Sequence, residues 1–405
     1  MKFIDFFAGI GGFRRGMELA GHECVGFCEF DKFATASYIS MHLLTEEQRK
    51  ALEDIPIKKR QKEILKEEYR NGEWYANDIR RVYAGYIPKA DCWCFGFPCQ
   101  DISVAGKQAG FQGNRSSLFF RVMYLVGQLK EEDKPTYLFI ENVKNLLSVN
   151  GGWDFARLLI EMELWGYDAE WQVLNSKDFG VPQNRERCFI IGHLRGRSTS
   201  KVFPIEGTDG KNSIQIIAHK DGYNKGIANH KAEVSGVAIK VIGEVNSSQD
   251  GKVLGTDGIA KCHSAGHNNN PKISIPVLAP GRAEKRQNGR RFKEDGEPMF
   301  TLTRSDIHGA AVEIENAKKN DDSGIFVPVS EELTVYAVWY EKYQCYIAIR
   351  KLTPRECFRL QGWSDDYFEK AQFVNSDSQL YKQAGNGVTV TVIEAIARKM
   401  NVDLN

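Results

Sequence analysis

The sequence predicts an α/β fold with a mostly parallel sheet, joined to a smaller and less regular second domain. Three observations predict it. Short apolar runs alternate with helical patterns through the first 193 residues. Polar side chains suited to binding stand just after those runs, at what would be the carboxyl edge of the sheet. From about His193 to Ala348 the texture changes: Gly, Asn, Ser and Lys become frequent, apolar runs shorten and helical periodicity fades.

A chain of 405 residues is long enough for two domains. Its 42% hydrophobic and 26% charged residues are ordinary for a soluble globular protein. No apolar run is long enough to span a bilayer. Met1-Lys2-Phe3-Ile4-Asp5 meets a carboxylate at once and lacks a small-residue cleavage site, so no signal peptide is expected. Nine cysteines without a Cys-x-x-Cys spacing argue for reduced intracellular thiols. A net charge of +1 does not mark a nucleic-acid binder, so any basic surface has to be local.

The elements follow in order. Lys2 to Ala8 is apolar apart from Asp5 and breaks into Gly9-Ile10-Gly11-Gly12. A helical pattern follows, with Phe13, Met17 and Ala20 on one face and Gly21 as the stop. Such a turn lets the backbone approach a ligand at the positive helix N-terminus, although the spacing is not G-x-G-x-x-G. A tight left-handed turn without a ligand is the competing reading. Glu23 to Phe30 is a second strand. Glu29, about 20 residues after the turn, is placed to accept from ribose hydroxyls, or else to cap the helix starting near Asp31. Phe30 is placed to lie against an adenine ring. Thr45 to Glu73, rich in Lys, Arg and Glu, reads as one or two solvated amphipathic helices. Trp74 to Ile79 leads through Asn77-Asp78, a contact for the adenine amino group.

Asp91 to Phe95 reads as a buried strand that stops at Gly96-Phe97-Pro98. Cys99 follows, then a glycine-punctuated loop. A thiol at the end of a core strand is presented to a ligand, whereas Cys92 and Cys94 alternate on one strand face and suit core packing. Asn114 or Ser116 would cap a helix carrying Leu118, Phe119, Val122 and Val126. Pro135 to Ile140 is another core strand and ends in Glu141-Asn142-Val143. Trp153 to Leu164 is helical, with Gly166 as the stop, and Tyr167 to Leu174 is extended. Gln183-Asn184-Arg185-Glu186-Arg187 precedes a strand at Cys188 to Gly192. Within the irregular region, Gly281 to Lys293 clusters Arg282, Lys285, Arg286, Arg290, Arg291 and Lys293 against Glu284, a phosphate contact or merely a solvated face. Thr353-Pro354-Arg355-Glu356 opens a helix with an N-cap, a proline at the first position and a capping box. Gln383 to Val388 reads as a Gly/Asn turn opening a last helix from Thr389 to Met400.

Six motifs, in their order along the chain, resemble the DNA (cytosine-5)-methyltransferase family of the bacterial restriction-modification type. They are Asp5-Phe6-Phe7-Ala8-Gly9-Ile10-Gly11-Gly12, Gly96-Phe97-Pro98-Cys99-Gln100, Glu141-Asn142-Val143, Gln183-Asn184-Arg185-Glu186-Arg187, Leu352-Thr353-Pro354-Arg355-Glu356 and Gln383-Ala384-Gly385-Asn386. The resemblance implies a doubly wound, S-adenosylmethionine-dependent methyltransferase sheet with a target-recognition domain. Residues 1–193 would form the catalytic and cofactor-binding domain, 194–350 the target-recognition domain, and 351–405 a segment returning to the first. The partner implied is double-stranded DNA in the cytoplasm; a cognate restriction endonuclease is left open.

The chemistry suits these residue types. Thiolate addition to C6 of cytosine turns the C5=C6 bond into an enamine whose C5 can attack a sulfonium methyl. Cysteine is both strongly nucleophilic and a competent leaving group, which fits Cys99. Glu141, following a core strand, would protonate or hydrogen-bond N3, with Asn142 orienting it. By resemblance Arg187 would contact the cytosine O2 and Arg185 the DNA backbone, against a bland ion pair of either arginine with Glu186. Phe7, Gly9 and Gly11 would pack around the methionine part of the cofactor, Glu29 would hold its ribose, and Phe30 and Asp78 its adenine. Pro98, Leu118 and Asn386 would complete that site. The product is S-adenosylhomocysteine, and no metal is expected. A stacked base is inaccessible, so the target must flip into a pocket, with Asp101 to Gly113 as the lid. Thr301 would sit at a phosphate and Arg282, Arg290 and Arg291 at the opposite backbone. Three alternatives compete: a transfer RNA cytosine-5 methyltransferase, disfavoured by the long variable region; a nicotinamide-dependent oxidoreductase, disfavoured by the missing G-x-G-x-x-G; and a catalytically dead DNA-binding module.

Overall fold

The computed structural model describes residues 1–97, 117–207 and 345–400, with strands and short segments between 233 and 340. Two compact units divide the chain. One holds Met1–Asn175, Glu186–Gly207 and Asp366–Asn405, and the other Ser176–Arg185 and Thr208–Asp365.

The first unit is built on a seven-stranded sheet: β1 (Lys2–Phe6), β2 (Glu23–Cys28), β3 (Trp74–Ala76), β4 (Cys92–Phe95), β5 (Tyr137–Val143), β6 (Tyr167–Asn175) and β7 (Glu186–Leu194), in the order β3-β2-β1-β4-β5-β7-β6. The five strands from β3 to β5 run parallel, so their carboxyl ends share one edge. β7 runs antiparallel to β5, with Val143 opposite Arg187. That reversal brings the start of β7 to the edge where β5 ends.

Helices cover both faces, which is why the central strands are apolar without alternation. Ile4, Phe6, Trp93, Phe95, Leu138 and Ile140 pack with Phe119, Val122 and Met123 of α5 (Ser117–Gly127) and with Leu158 and Met162 of α6 (Trp153–Leu164). On the other face Phe13 of α1 (Gly12–Leu19) meets Phe139 edge-on at 5.0 Å. Asp5, the one carboxylate of β1, has a structural reason. The N-cap of α1 is Gly11, which offers no side-chain oxygen, and Asp5 Oδ2 accepts the Arg14 N–H instead at 3.3 Å. Complete burial pushes this carboxyl well above its ordinary pKa.

Between β2 and β3 lie α2 (Lys32–His42), α3 (Glu46–Glu53) and α4 (Ile57–Glu63). The charged stretch is less solvated than expected: Arg60 is buried, with its guanidinium 3.7 Å from the Phe373 ring centroid and Nη1 donating to the Phe373 carbonyl.

The second unit contains strand pair β8 (Glu233–Val234) and β9 (Val237–Ala238), a three-stranded sheet of β10 (Lys240–Glu244), β11 (Lys252–Thr256) and β12 (Ile259–Cys262), and a five-stranded antiparallel sheet. The last consists of β13 (Ser274–Leu278), β14 (His308–Ile314), β15 (Ile325–Ser330), β16 (Leu333–Tyr340) and β17 (Cys345–Lys351). It ends in α7 (Pro354–Arg359), whose Thr353–Glu356 capping box is formed as expected. The chain then enters α8 (Asp365–Gln372), α9 (Asp377–Asn386) and α10 (Val390–Ala397). Here one expectation is corrected. Gln383 to Asn386 form the last turn of α9, not an open turn, and Gly387 is the C-cap. Gln383 is the reason: it is buried, its Nε2 donates to the Phe33 carbonyl and its Oε1 accepts from Ser37.

Candidate active site

The glycine turn after β1 is held by its neighbours on both sides. Phe7, Gly9 and Gly11 all have positive φ (55°, 57° and 84°). The two glycines do different jobs. A Cβ on Gly9 would meet nothing within 4 Å, so this position opens onto free space. A Cβ on Gly11 would lie 2.4 Å from His42 Nε2. Gly11, expected at the cofactor, is therefore glycine because of what packs behind the turn.

Glu29 follows β2, and its Oε2 accepts the Gly9 N–H at 2.8 Å while Oε1 accepts the Asp31 N–H at 2.7 Å. The cap of α2 is Asp31, whose side chain accepts from Phe33 N, so Glu29 is not the N-cap. Burial raises the Glu29 pKa, and the N–H groups of Asp31 and Gly9 oppose the rise. A carboxylate has about four lone-pair sites, so acceptor capacity remains for a further donor. Phe30 is 66% exposed, with the Arg80 guanidinium 5.7 Å from its ring centroid. Arg80 in turn grips both oxygens of Asp78 at 2.8–3.2 Å, which lowers the Asp78 pKa. The ends of β1, β2 and β3 thus bring Phe7, Gly9, Glu29, Phe30 and Asp78 to one edge.

Leu118, like Phe7, packs against the main core. Its helix is tied to the segment after Asp78 by Arg121, which donates to the carbonyls of Ile79 (3.2 Å) and Val82 (2.6 Å). Asn386 is exposed at the end of α9, which is fastened to the start of α2 by the Lys382–Asp31 ion pair and the Gln383 bonds. An open backbone position, a half-buried carboxylate with acceptor capacity to spare and an exposed aromatic ring fit a nucleoside-bearing cofactor such as S-adenosylmethionine.

The ends of β4 and β5 interlock. Glu141 Oε1 pairs with Arg187 Nε at 3.0 Å across the β5–β7 ladder. A Cβ on Gly96 would stand 3.1 Å from Glu141 Oε2, so glycine there makes room for the carboxylate. Asn142, expected to orient Glu141, does something else. Its Nδ2 donates to the Phe97 carbonyl at 3.1 Å and its Oδ1 accepts from Val143 N at 2.9 Å. It therefore grips the backbone two residues before Cys99. Pro98, Cys99 and the loop from Asp101 to Gly113 lie outside the described residues. The competing pairing of Arg187 with the Glu186 carboxylate is not the one formed: that carboxylate takes Lys144 at 3.1 Å.

Arg185 departs from the expectation of DNA contact. Arg185 is buried, and its Nη1 donates to the Leu302 carbonyl at 2.8 Å. The Thr301 hydroxyl donates to the Asn184 carbonyl at 2.6 Å, and Leu302 N donates to Gln183 Oε1. The Gln183-Asn184-Arg185 stretch and the Thr301-Leu302 pair thus brace one another inside the second unit. Burial takes the Arg185 guanidinium away from any phosphate. Arg282, Arg290 and Arg291 lie outside the described residues. Among the described residues no cluster of His, Cys, Asp and Glu could hold a metal, and no helix is long and apolar enough to cross a membrane. Sequence reasoning missed Gly96, His42 and Arg121; the first stood inside a quoted motif, while the other two act across the fold and leave no local signal.

Comparison with known proteins places this geometry. A family model described as C-5 cytosine-specific DNA methylase matches residues 1–402. The orphan methyltransferase M.SPBetaI of Bacillus phage SPbeta is 30% identical over 490 residues, covering 99% of this chain and 97% of that protein. The type II methyltransferase M.HhaI of Haemophilus parahaemolyticus is 28% identical over 406 residues, covering 100% and 95%. The solved structure of the Entamoeba histolytica methyltransferase EhMeth matches with a TM-score of 0.52 at 15% identity, covering 98% of this chain and 96% of that one, a likeness of fold.

Proposed function

The chain belongs to the C-5 cytosine-specific DNA methylase family, and from that premise we propose how its residues carry out cytosine-5 methylation of DNA. The observation that carries the reading is the Glu141–Arg187 pair, 3.0 Å apart, at the sheet edge that also carries the glycine turn and Glu29. The enzyme acts on duplex DNA in the cytoplasm, and the target cytosine reaches this edge flipped out of the helix. Cys99 adds to C6. Negative charge then grows on the ring, and Glu141 delivers a proton to N3 while Arg187 donates to O2. Arg187 Nε holds Glu141 Oε1, which leaves Oε2 to face N3. S-adenosylmethionine supplies a sulfonium methyl to the activated C5. Loss of the C5 proton then lets Cys99 leave.

Glu29 holds the ribose with the acceptors left free by Gly9 and Asp31, Phe30 and Asp78 flank the adenine, and Gly9 leaves room for the methionine part. Leu118, Pro98 and Asn386 close the cofactor site. Asn142 sets the backbone leading to Cys99. The second unit serves target recognition, with Arg282, Arg290 and Arg291 at the phosphates and Thr301 near them. Whether an endonuclease accompanies the enzyme in its host is read from the neighbouring genes.

The test is a duplex carrying 5-fluorocytosine at the target. Fluorine cannot leave as a proton does, so enzyme, cofactor and DNA should form an adduct that survives denaturation and maps to Cys99. A folded enzyme that methylates its site yet gives no adduct would overturn the mechanism.

A further inference from the structure

We propose that His42 is a positioning residue for the cofactor turn, holding Ile10 and Gly11 in the shape that lets Gly9 meet the methionine part of S-adenosylmethionine. The inference rests on the cofactor placement above. His42 is the last residue of α2, the helix that begins just after Glu29 and Phe30. One end of this helix therefore carries the proposed ribose and adenine contacts, and the other reaches the glycine turn.

Three contacts define the role. Nε2 donates to the Ile10 carbonyl at 3.0 Å. The ring lies between Tyr38 and Tyr367, with centroids 4.9 Å and 5.4 Å away. The Gly11 backbone presses on the imidazole, so that a Cβ would be 2.4 Å from Nε2 and 3.0 Å from Cδ2. Together with the Glu29 bond to Gly9 N, the turn is gripped at consecutive residues by two side chains that α2 connects. Burial, then the charges of Arg14, Arg15 and Lys370, hold the imidazole pKa well below its usual range, while the Ile10 bond opposes this. The ring is thus neutral and keeps its proton on Nε2. A rigid, preformed turn is worth affinity because its ordering is not charged against binding.

The test uses the full chain and S-adenosylmethionine, measured by titration calorimetry without DNA, with His42→Phe, His42→Gln and Glu29→Gln. His42→Phe keeps the ring packing and removes the donor; it should bind about 5- to 30-fold more weakly, the span for one lost hydrogen bond. His42→Gln restores a donor at similar reach and should return to within about threefold of the parent. In steady state His42→Phe should raise KM for S-adenosylmethionine and leave KM for DNA unchanged. Parent-like affinity in His42→Phe overturns the proposal, as does a His42→Gln variant no better than His42→Phe. If His42→Phe does not fold, Gly11→Ala disturbs the same contact, and unchanged affinity there overturns the proposal equally. Glu29→Gln separates the two levels. If it weakens binding while His42→Phe does not, only the His42 role falls. If neither variant matters, the cofactor placement itself falls.

Discussion

Asn142→Ala is the sharpest probe of how β5 braces the backbone after β4 that leads to the proposed nucleophile, Cys99. The parent side chain is 1% exposed and makes two bonds, to the Phe97 carbonyl at 3.1 Å and from Val143 N at 2.9 Å. Alanine removes both. Phe97 is 2% exposed, so its carbonyl loses this donor in a place water does not readily reach, at a cost of about 1–3 kcal/mol. Val143 is half-buried and recovers part of its loss by hydration. The vacated volume adds a little. Stability should therefore fall by about 2–4 kcal/mol, read as a lower urea midpoint with an unchanged slope. The functional effect lies two residues further on. A displacement of about 1 Å in a reacting group costs up to ~10²-fold, so capture of 5-fluorocytosine duplex should slow by ~10- to 100-fold at saturating cofactor. S-Adenosylmethionine affinity should change much less, because most of the proposed cofactor contacts follow β1, β2 and β3 rather than β4. A folded Asn142→Ala enzyme that captures the base at the parent rate would refute the idea that Asn142 sets the approach to Cys99.

Two further outcomes follow from the site. Glu141→Gln keeps the shape beside Gly96 and Arg187 but carries no transferable proton, so single-turnover methyl transfer should fall by ~10²–10⁴; a rate near the parent's would remove Glu141 from the acid role. In the proposed ribose contact Glu29 accepts in its ionised form, and burial raises its pKa above the ordinary carboxylate value. S-Adenosylmethionine affinity should therefore weaken on acidification, starting at a higher pH than an exposed glutamate would dictate. The stability sign is opposite: a raised folded pKa favours the fold at low pH, and that contribution is lost as pH rises through the folded pKa. Titration of the parent against Glu29→Gln checks this, and an equally steep profile in both would assign the dependence elsewhere.

How much was legible in the sequence depended on how local each interaction was. Glu141 and Arg187 stood out because each begins or ends an apolar run, and strand ends are where a parallel sheet exposes side chains. Asp31 as the cap of α2 and Thr353 as the cap of α7 are contacts within one helical turn. Asn142 was noticed but given the wrong partner, since its bond to Phe97 spans two strands far apart in the chain. Arg185 departs from its expected place for a like reason. An arginine near a motif looks the same in the sequence whether it faces phosphate or a buried Leu302 carbonyl.

The family, the order of the strands and the residue types for the chemistry are legible from the chain alone, because these depend on periodicity, turn residues and side-chain reactivity. The tertiary structure decided the rest. The reversal of β7 brought Arg187 to within 3.0 Å of Glu141. Packing settled that Gly9 faces open space while Gly11 faces His42. Burial withdrew Arg185 from the surface and gave Asp5 a helix to cap. The Glu141–Arg187, Gly11–His42 and Arg185–Leu302 contacts join residues distant in the chain, and such contacts exist only once the backbone has closed around them.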